Sequence, residues 1–254
     1  MNLQQANEQD TDFKVGFLTR IDEPLLALTL EAAFANGITN SVVICDSKLM
    51  SEKDLKIWRE RTGNAFKEVE SSDALYKFGS TMLPFYFVDS HNSSQTLDLI
   101  SALGLHCLFN AGTPRKLTHT IINSVEHGVV NVHPGILPNY RGCSCVEWAI
   151  LNDDKVGNTA HFMDEDYDTG SIITSEGYDF PKNARYQTIR TTVYREGCHL
   201  AGRVLASIKK HKIRPIDGQL QTAASGTYWP PISVDEMATV LQKLDASEYR
   251  YQIL

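Results

Sequence analysis

The chain has 254 residues, 42% of them hydrophobic, and a formal net charge of −7. That length suits one large α/β domain with an appendage, and the acidic balance argues against a broad nucleic-acid surface, which needs clustered Lys and Arg. No run approaches the roughly 20 apolar residues of a membrane-spanning helix, and the polar start, residues 1–12, lacks an apolar h-region, so it reads as a short flexible arm rather than a secretory leader.

Apolar runs alternate with helical patterns over the first two-thirds of the chain. Strands are predicted at 13–18, 41–45, 85–88, 106–109 and 129–132. Between them the spacing predicts helices over 23–36, ending at Gly37, over 53–62, ending at Gly63, from a cap at Asn92 or Ser93 to Leu103, and from Thr113-Pro114 to about Glu126. Repeated βα units of this kind predict a mostly parallel sheet with helices on both faces. A helix is then predicted over 142–151, strands over 159–163 and 171–178, and a long helix over 187–209. Short strand-like pieces, a turn at Ser225-Gly226-Thr227 and a final helix over 234–244 follow. The simplest division is an arm at 1–12, a core at 13–210 and a small C-terminal extension at 211–254.

The basic stretch Lys209 to Arg214 suits a solvated helix C-terminus. Cys45, Cys107, Cys143, Cys145 and Cys198 are odd in number, which fits reduced structural thiols in a cytoplasmic protein. Cys143 and Cys145 are too closely spaced for a zinc pair, so no metal is expected. The loop after the first strand, Thr19 to Pro24, holds no glycine; a dinucleotide fingerprint or P-loop would need glycines there.

The chemistry concentrates in Val130-Asn131-Val132-His133-Pro134 and Asp166-Tyr167-Asp168-Thr169-Gly170. Asn131 and His133 lie two apart on a predicted strand and so point to one face, and Pro134 ends that strand. Asp168 sits in a turn closed by Gly170, where its carboxylate could hold the imidazole. An amide donor, a proton handler and an orienting carboxylate are what acyl transfer to an amine needs. Ordinary turn chemistry would also account for Asn and Asp at such positions.

The surrounding string resembles the folate-dependent formyltransferases. The match runs through Asn110-Ala111-Gly112-Thr113-Pro114-Arg115-Lys116-Leu117, then Asn131 to Gly142, then Thr159 to Met163 and Asp168 to Ile173. The resemblance implies a Rossmann-like core that passes the formyl group of 10-formyltetrahydrofolate to an amine, with Asn131, His133 and Asp168 catalytic. It implies that the pterin is held by Arg115, Lys116 and Leu117 and by the loop with Met163, Asp164, Asp166 and Tyr167. Gly135 replaces a Ser found in several members.

Within that family the branch that formylates nucleotide-linked amino sugars, precursors of surface polysaccharide, is the expected one. A glycine-rich phosphate loop, as in glycinamide ribonucleotide transformylase, is missing after the first strand. Residues 210–254 offer little room for the RNA-binding domain of methionyl-tRNA formyltransferase, and residues 1–12 none for the regulatory domain of formyl-folate hydrolases. Arg20, at a strand end, is the expected phosphate ligand, and Tyr228 and Trp229 could stack on a base or pack a homodimer. Formylation of another small amine, formyl-folate hydrolysis, or a non-catalytic folate- or nucleotide-binding module stay open as alternatives.

Overall fold

The computed structural model describes residues 12–63, 65–66, 83–222 and 226–253. The anticipated N-terminal arm, apart from Asp12, and Ser225 of the anticipated turn lie outside the described residues. Nine strands are described: β1 (Val15–Arg20), β2 (Ser41–Asp46), β3 (Phe85–Val88), β4 (Cys107–Asn110), β5 (Val129–His133), β6 (Tyr140–Gly142), β7 (Gly157–Phe162), β8 (Ile172–Gly177) and β9 (Thr227–Trp229). The helices are α1 (Leu26–Ala35), α2 (Glu52–Thr62), α3 (Ser94–Ala102), α4 (His119–Ile122), α5 (Cys145–Leu151), α6 (Tyr186–His211) and α7 (Val234–Asp245).

The central sheet has seven strands in the order β3-β2-β1-β4-β5-β7-β8, and a second sheet pairs β6 with β9. The pairs β1–β2, β1–β4, β2–β3 and β4–β5 are parallel, whereas β7–β8 is antiparallel. The mostly parallel α/β architecture anticipated from the βα alternation is the one observed. Every residue of β2, and all of β1 but Arg20, is buried, as expected where a parallel sheet is covered on both faces.

The chain divides into two compact units, one of residues 1–50, 68–131 and 198–217, the other of residues 51–67, 132–197 and 218–254. In the first, α6 approaches α1 so closely that a Cβ at Gly202 would lie 2.4 Å from Ala32 O. In the second, Trp148, Phe180, Tyr186, Ile189, Val193, Val240, Leu244 and Tyr249 form a buried cluster. That core also takes an ion pair, Glu147 with Arg190, whose side chains are 1% and 2% exposed. Arg190 donates from Nε to Glu147 Oε1 at 2.9 Å and from Nη2 to Oε2, and Tyr186 adds its hydroxyl. Burial alone would raise the Glu147 pKa, but Arg190 and Arg61 outweigh it and hold the carboxyl at about 2.

Two predicted helices change substantially. The helix expected over 113–126 contracts to the four residues of α4, because its first half is held by side chains from elsewhere in the chain, described below. The helix expected from Gly142 starts only at Cys145: Gly142 closes β6, and Ser144 takes a left-handed conformation at φ +52°. Cys45, Cys107, Cys145 and Cys198 are buried and Cys143 is exposed, all as free thiols. Burial pushes the Cys45 and Cys145 thiols up to about 12. Among the described residues no helix is long and apolar enough to cross a membrane, and no group of His, Cys, Asp and Glu could hold a metal ion.

Candidate active site

β5 ends at His133, and the loop after it doubles back at once. Gly135 N–H donates to His133 O at 2.9 Å. Leu137 N–H donates to Thr159 Oγ1 at 3.0 Å, and that hydroxyl donates to Gly135 O at 2.8 Å, so a β7 side chain ties the loop down. At residue 135 a Cβ would lie 2.7 Å from both His133 Nε2 and Tyr140 O. Gly135 is therefore what lets the imidazole and this carbonyl meet.

His133 is 4% exposed. Its Nδ1 lies 3.3 Å from Asp168 Oδ1 and its Nε2 lies 2.7 Å from Tyr140 O. Both ring nitrogens thus face acceptors, and a neutral imidazole, with one N–H, can donate to only one of them. Asp168 sits in the left-handed region at φ +59°, which Asp tolerates better than most residues. The turn needs Gly170, since a Cβ there would lie 1.9 Å from Phe162 O. The second carboxylate oxygen of Asp168 accepts the Gly142 N–H at 2.8 Å. One carboxylate therefore holds both the imidazole and the end of β6.

His161, which the sequence did not single out, joins this cluster. Its Nδ1 donates to Phe162 O at 2.7 Å and its Nε2 lies 3.7 Å from Asp168 Oδ1. Burial first, and the neighbouring charge of His133 second, push its pKa down to about 4. It therefore stands beside Asp168 as a neutral ring at pH 7. The sequence signal was its place in the matched string Thr159 to Met163, on a strand paired next to the Asp168 turn.

Asn131 shares β5 with His133. Its Oδ1 accepts from Asn110 Nδ2 at 2.9 Å, which turns the amide oxygen toward β4 and the NH2 the other way. Asn110 is itself fixed, because its Oδ1 accepts the N–H groups of Gly112 and Thr113 at 3.2 and 2.9 Å. Asn110 was legible only as part of the family string. Its use as a brace depends on β4 lying beside β5.

The segment with Arg115, Lys116 and Leu117 is held from behind. Arg115 donates from Nε and Nη2 to the two carboxylate oxygens of Asp46 at 2.5 and 3.0 Å, and from Nη2 to Asp89 O at 2.9 Å. Burial would raise the Asp46 pKa, yet Arg115 and the amides of Lys48 and His91 hold it below the ordinary carboxylate range. Asn92 donates to Lys116 O and accepts the Thr118 N–H, both at 2.9 Å. Leu117 is buried and Lys116 exposed. Of the other loop, Met163 is half-buried, Asp164 and Asp166 are exposed, and Tyr167 is 57% exposed.

The residues expected at the acceptor divide. Arg20 is ion-paired: Nη2 donates to Glu23 Oε2 at 2.9 Å, and Nε lies 3.4 Å from Asp22 Oδ1 without a hydrogen bond to it. Burial raises the Glu23 pKa to about 7 against the pull of Arg20. Trp229 is spent on packing, stacked on Tyr140 at 5.7 Å and on Trp148 at 4.8 Å, and it donates from Nε1 to Asn139 O at 3.0 Å. Tyr228, on the opposite face of β9, is 58% exposed. Its ring lies against Gly142, where a Cβ would meet Cε2 and Cζ at 2.9 Å.

Comparison with known proteins identifies the family and the fold. The formyl transferase family profile matches residues 28–198. Methionyl-tRNA formyltransferase of Caldanaerobacter subterraneus is 28% identical over 160 residues, covering 63% of this chain and 50% of that protein. The chain spans about half the length, or less, of the curated relatives it matches. A sugar N-formyltransferase structure from a Shewanella species superposes with a TM-score of 0.61 at 15% identity, covering 91% of this chain and 87% of that one. A phosphoribosylglycinamide formyltransferase from Anaplasma phagocytophilum gives a TM-score of 0.61 at 18% identity, covering 84% and 94%. Likeness at such identities establishes a common fold. With the family profile spanning the strand of Asn131 and His133 and the turn of Asp168, the chain belongs to the formyl transferase family.

Proposed function

We propose that this protein transfers a formyl group from 10-formyltetrahydrofolate to the amine of a nucleotide-linked amino sugar in the cytoplasm. The observation that carries the reading is the pairing, at 3.3 Å, of Asp168 in its turn with His133, which stands on the strand that also bears Asn131. The donor supplies the formyl carbon, and attack by an amine leaves negative charge on the formyl oxygen. Asn131 is proposed to donate to that oxygen with its NH2, the orientation that Asn110 favours. His133, held by Asp168 at Nδ1, is proposed to take the proton of the attacking amine and to return it to the donor nitrogen as that nitrogen's bond to the formyl carbon breaks and tetrahydrofolate leaves. Its Nε2 is the nitrogen that exchanges Tyr140 O for the reacting groups.

The donor is assigned to the backbone of Arg115, Lys116 and Leu117 and to the loop with Met163, Asp164, Asp166 and Tyr167. The clamp of Asp46 on Arg115 supports this role, because it fixes the segment through a side chain. For the acceptor the reading rests on Tyr228, whose exposed ring offers a stacking face for a nucleobase, beside the Gly142 that Asp168 holds. Arg20 is already engaged by Asp22 and Glu23. Trp229 is assigned to packing.

Names among the relatives give a second reading. Curated relatives include methionyl-tRNA formyltransferases, so a formylated aminoacyl-tRNA is the competing product. The deciding experiment offers the purified protein 10-formyltetrahydrofolate with a panel of nucleotide-linked amino sugars, glycinamide ribonucleotide and methionyl-tRNA. A mass gain of one CO on an amino sugar alone supports the proposal. Gain only on methionyl-tRNA or glycinamide ribonucleotide overturns the assignment of acceptor, and release of formate without any acceptor points to hydrolysis.

A further inference from the structure

Gln221 lies in the segment after the long helix, outside the string that resembles the family. Its segment is pinned to the second unit by a pair of backbone bonds: Ile172 N–H donates to Gln219 O and Gln219 N–H to Ile172 O, both at 2.8 Å. From this anchor the Gln221 amide uses both ends. Nε2 donates to Asp168 O at 3.0 Å and to Gly170 O at 2.7 Å. Oε1 accepts from Arg141 Nε at 3.0 Å and from Arg141 Nη2 at 2.7 Å. Arg141 is 8% exposed and lies in β6, one residue before the Gly142 whose N–H is donated to the Asp168 carboxylate. Gly226 backs Arg141, since a Cβ there would lie 3.1 Å from its Cζ.

We infer that Gln221, held by the buried Arg141, is a positioning residue that locks the Asp168 turn and so seats the carboxylate against His133. The chemistry selects an amide. The turn presents two carbonyl oxygens and needs a donor; the guanidinium presents two N–H groups and needs an acceptor; only a carboxamide of this reach supplies both. Asp168 is in a left-handed conformation at φ +59°, a sparsely populated one for a residue with a side chain, which surrounding bonds must hold. Gln221 bonds the carbonyls on either side of Thr169, while Gly142 bonds the carboxylate. Together they fix the backbone and the side chain of the same residue. The catalytic consequence rests on the roles proposed above for His133 and Asp168; the structural clamp does not.

The test is Gln221→Glu, which keeps the acceptor for Arg141 and turns an oxygen toward the two carbonyls. The control is Gln219→Glu, which adds the same charge two residues away on an exposed position. In Gln221→Glu we expect kcat to fall about 10- to 100-fold, as for misplacement of a reacting group by about 1 Å, with donor and acceptor KM within about threefold. Gln219→Glu should keep the parent rate. Independently of activity, residue-resolved hydrogen exchange should show the Gly142 amide losing protection in Gln221→Glu. The Trp148 amide, donated to Ser144 O within the same unit, should keep its own. Unchanged kcat in Gln221→Glu, an equal loss in Gln219→Glu, or a Gly142 amide that stays protected would each overturn the inference. If the parent protein formylates none of the acceptors, the exchange measurement still decides the clamp, so failure of the proposed function and failure of this inference are told apart.

Discussion

Asn110→Asp tests the site at a residue that touches no proposed substrate. Asp is nearly isosteric with Asn. Its oxygens can still accept the N–H groups of Gly112 and Thr113, now held at 3.2 and 2.9 Å, and a charged acceptor strengthens such bonds. The loop should therefore survive. On the other side the substitution replaces the Nδ2 donor, 2.9 Å from Asn131 Oδ1, by an oxygen. Two oxygens at that distance repel, and Asn131 relieves them by rotating its amide through half a turn to offer its NH2 to the new carboxylate. Its carbonyl oxygen then faces the place where negative charge gathers. The loss is that of one oxyanion donor, about 100- to 1,000-fold in kcat or roughly 2.7–4 kcal/mol. Steady-state transfer at saturating donor and acceptor measures it. The double variant Asn110→Asp/Asn131→Ala should be no slower than Asn131→Ala, because both changes remove the same group. A rate within about threefold of the parent, or additive losses, would refute the orientation assigned to Asn131.

Other substitutions probe separate parts of the molecule. His133→Ala and Asp168→Ala should each nearly abolish transfer with the fold retained by circular dichroism; retention of more than about a tenth of the rate by both excludes the proposed roles. Gly135→Ser should push His133 Nε2 and Tyr140 O apart, since a Cβ meets both at 2.7 Å, and should cost about 1–3 kcal/mol in denaturant titration. Arg190→Met leaves Glu147, 1% exposed, without its bidentate partner, a loss of about 3–5 kcal/mol that Glu147→Leu/Arg190→Met should largely restore; a single variant as stable as the parent refutes this. Glu23 has a folded pKa raised from 4.5 to about 7 by burial. Its contribution is therefore fully present below about pH 4.5 and is lost as pH rises through 7. Melting curves should show Glu23→Gln gaining on the parent between pH 5 and pH 8, by an amount near ~3 kcal/mol.

Sequence alone determined the alternation of strands and helices, because each element buries a face that periodicity reveals. Ser51 and Ser93 cap α2 and α3 as local chemistry dictates, accepting from Asp54 N–H and Thr96 N–H. It also placed Asn131 and His133 on one face of a strand, since a separation of two residues fixes that on any strand. Tertiary structure decided everything set by partners distant in the chain. The helix expected from Thr113 is displaced because Asp46 captures Arg115 and Asn92 captures Lys116 and Thr118, bonds over 69, 24 and 26 residues. Helical spacing carries no record of them. Arg20 and Trp229 looked available because a sequence shows a side chain's chemistry and not the carboxylates or rings it meets in the fold. The same reason hid Asn110, His161 and Gln221. Each is an ordinary polar residue until the sheet brings a strand or a turn within hydrogen-bond reach, and at that distance a contact of about 3 Å, not residue type, assigns its part.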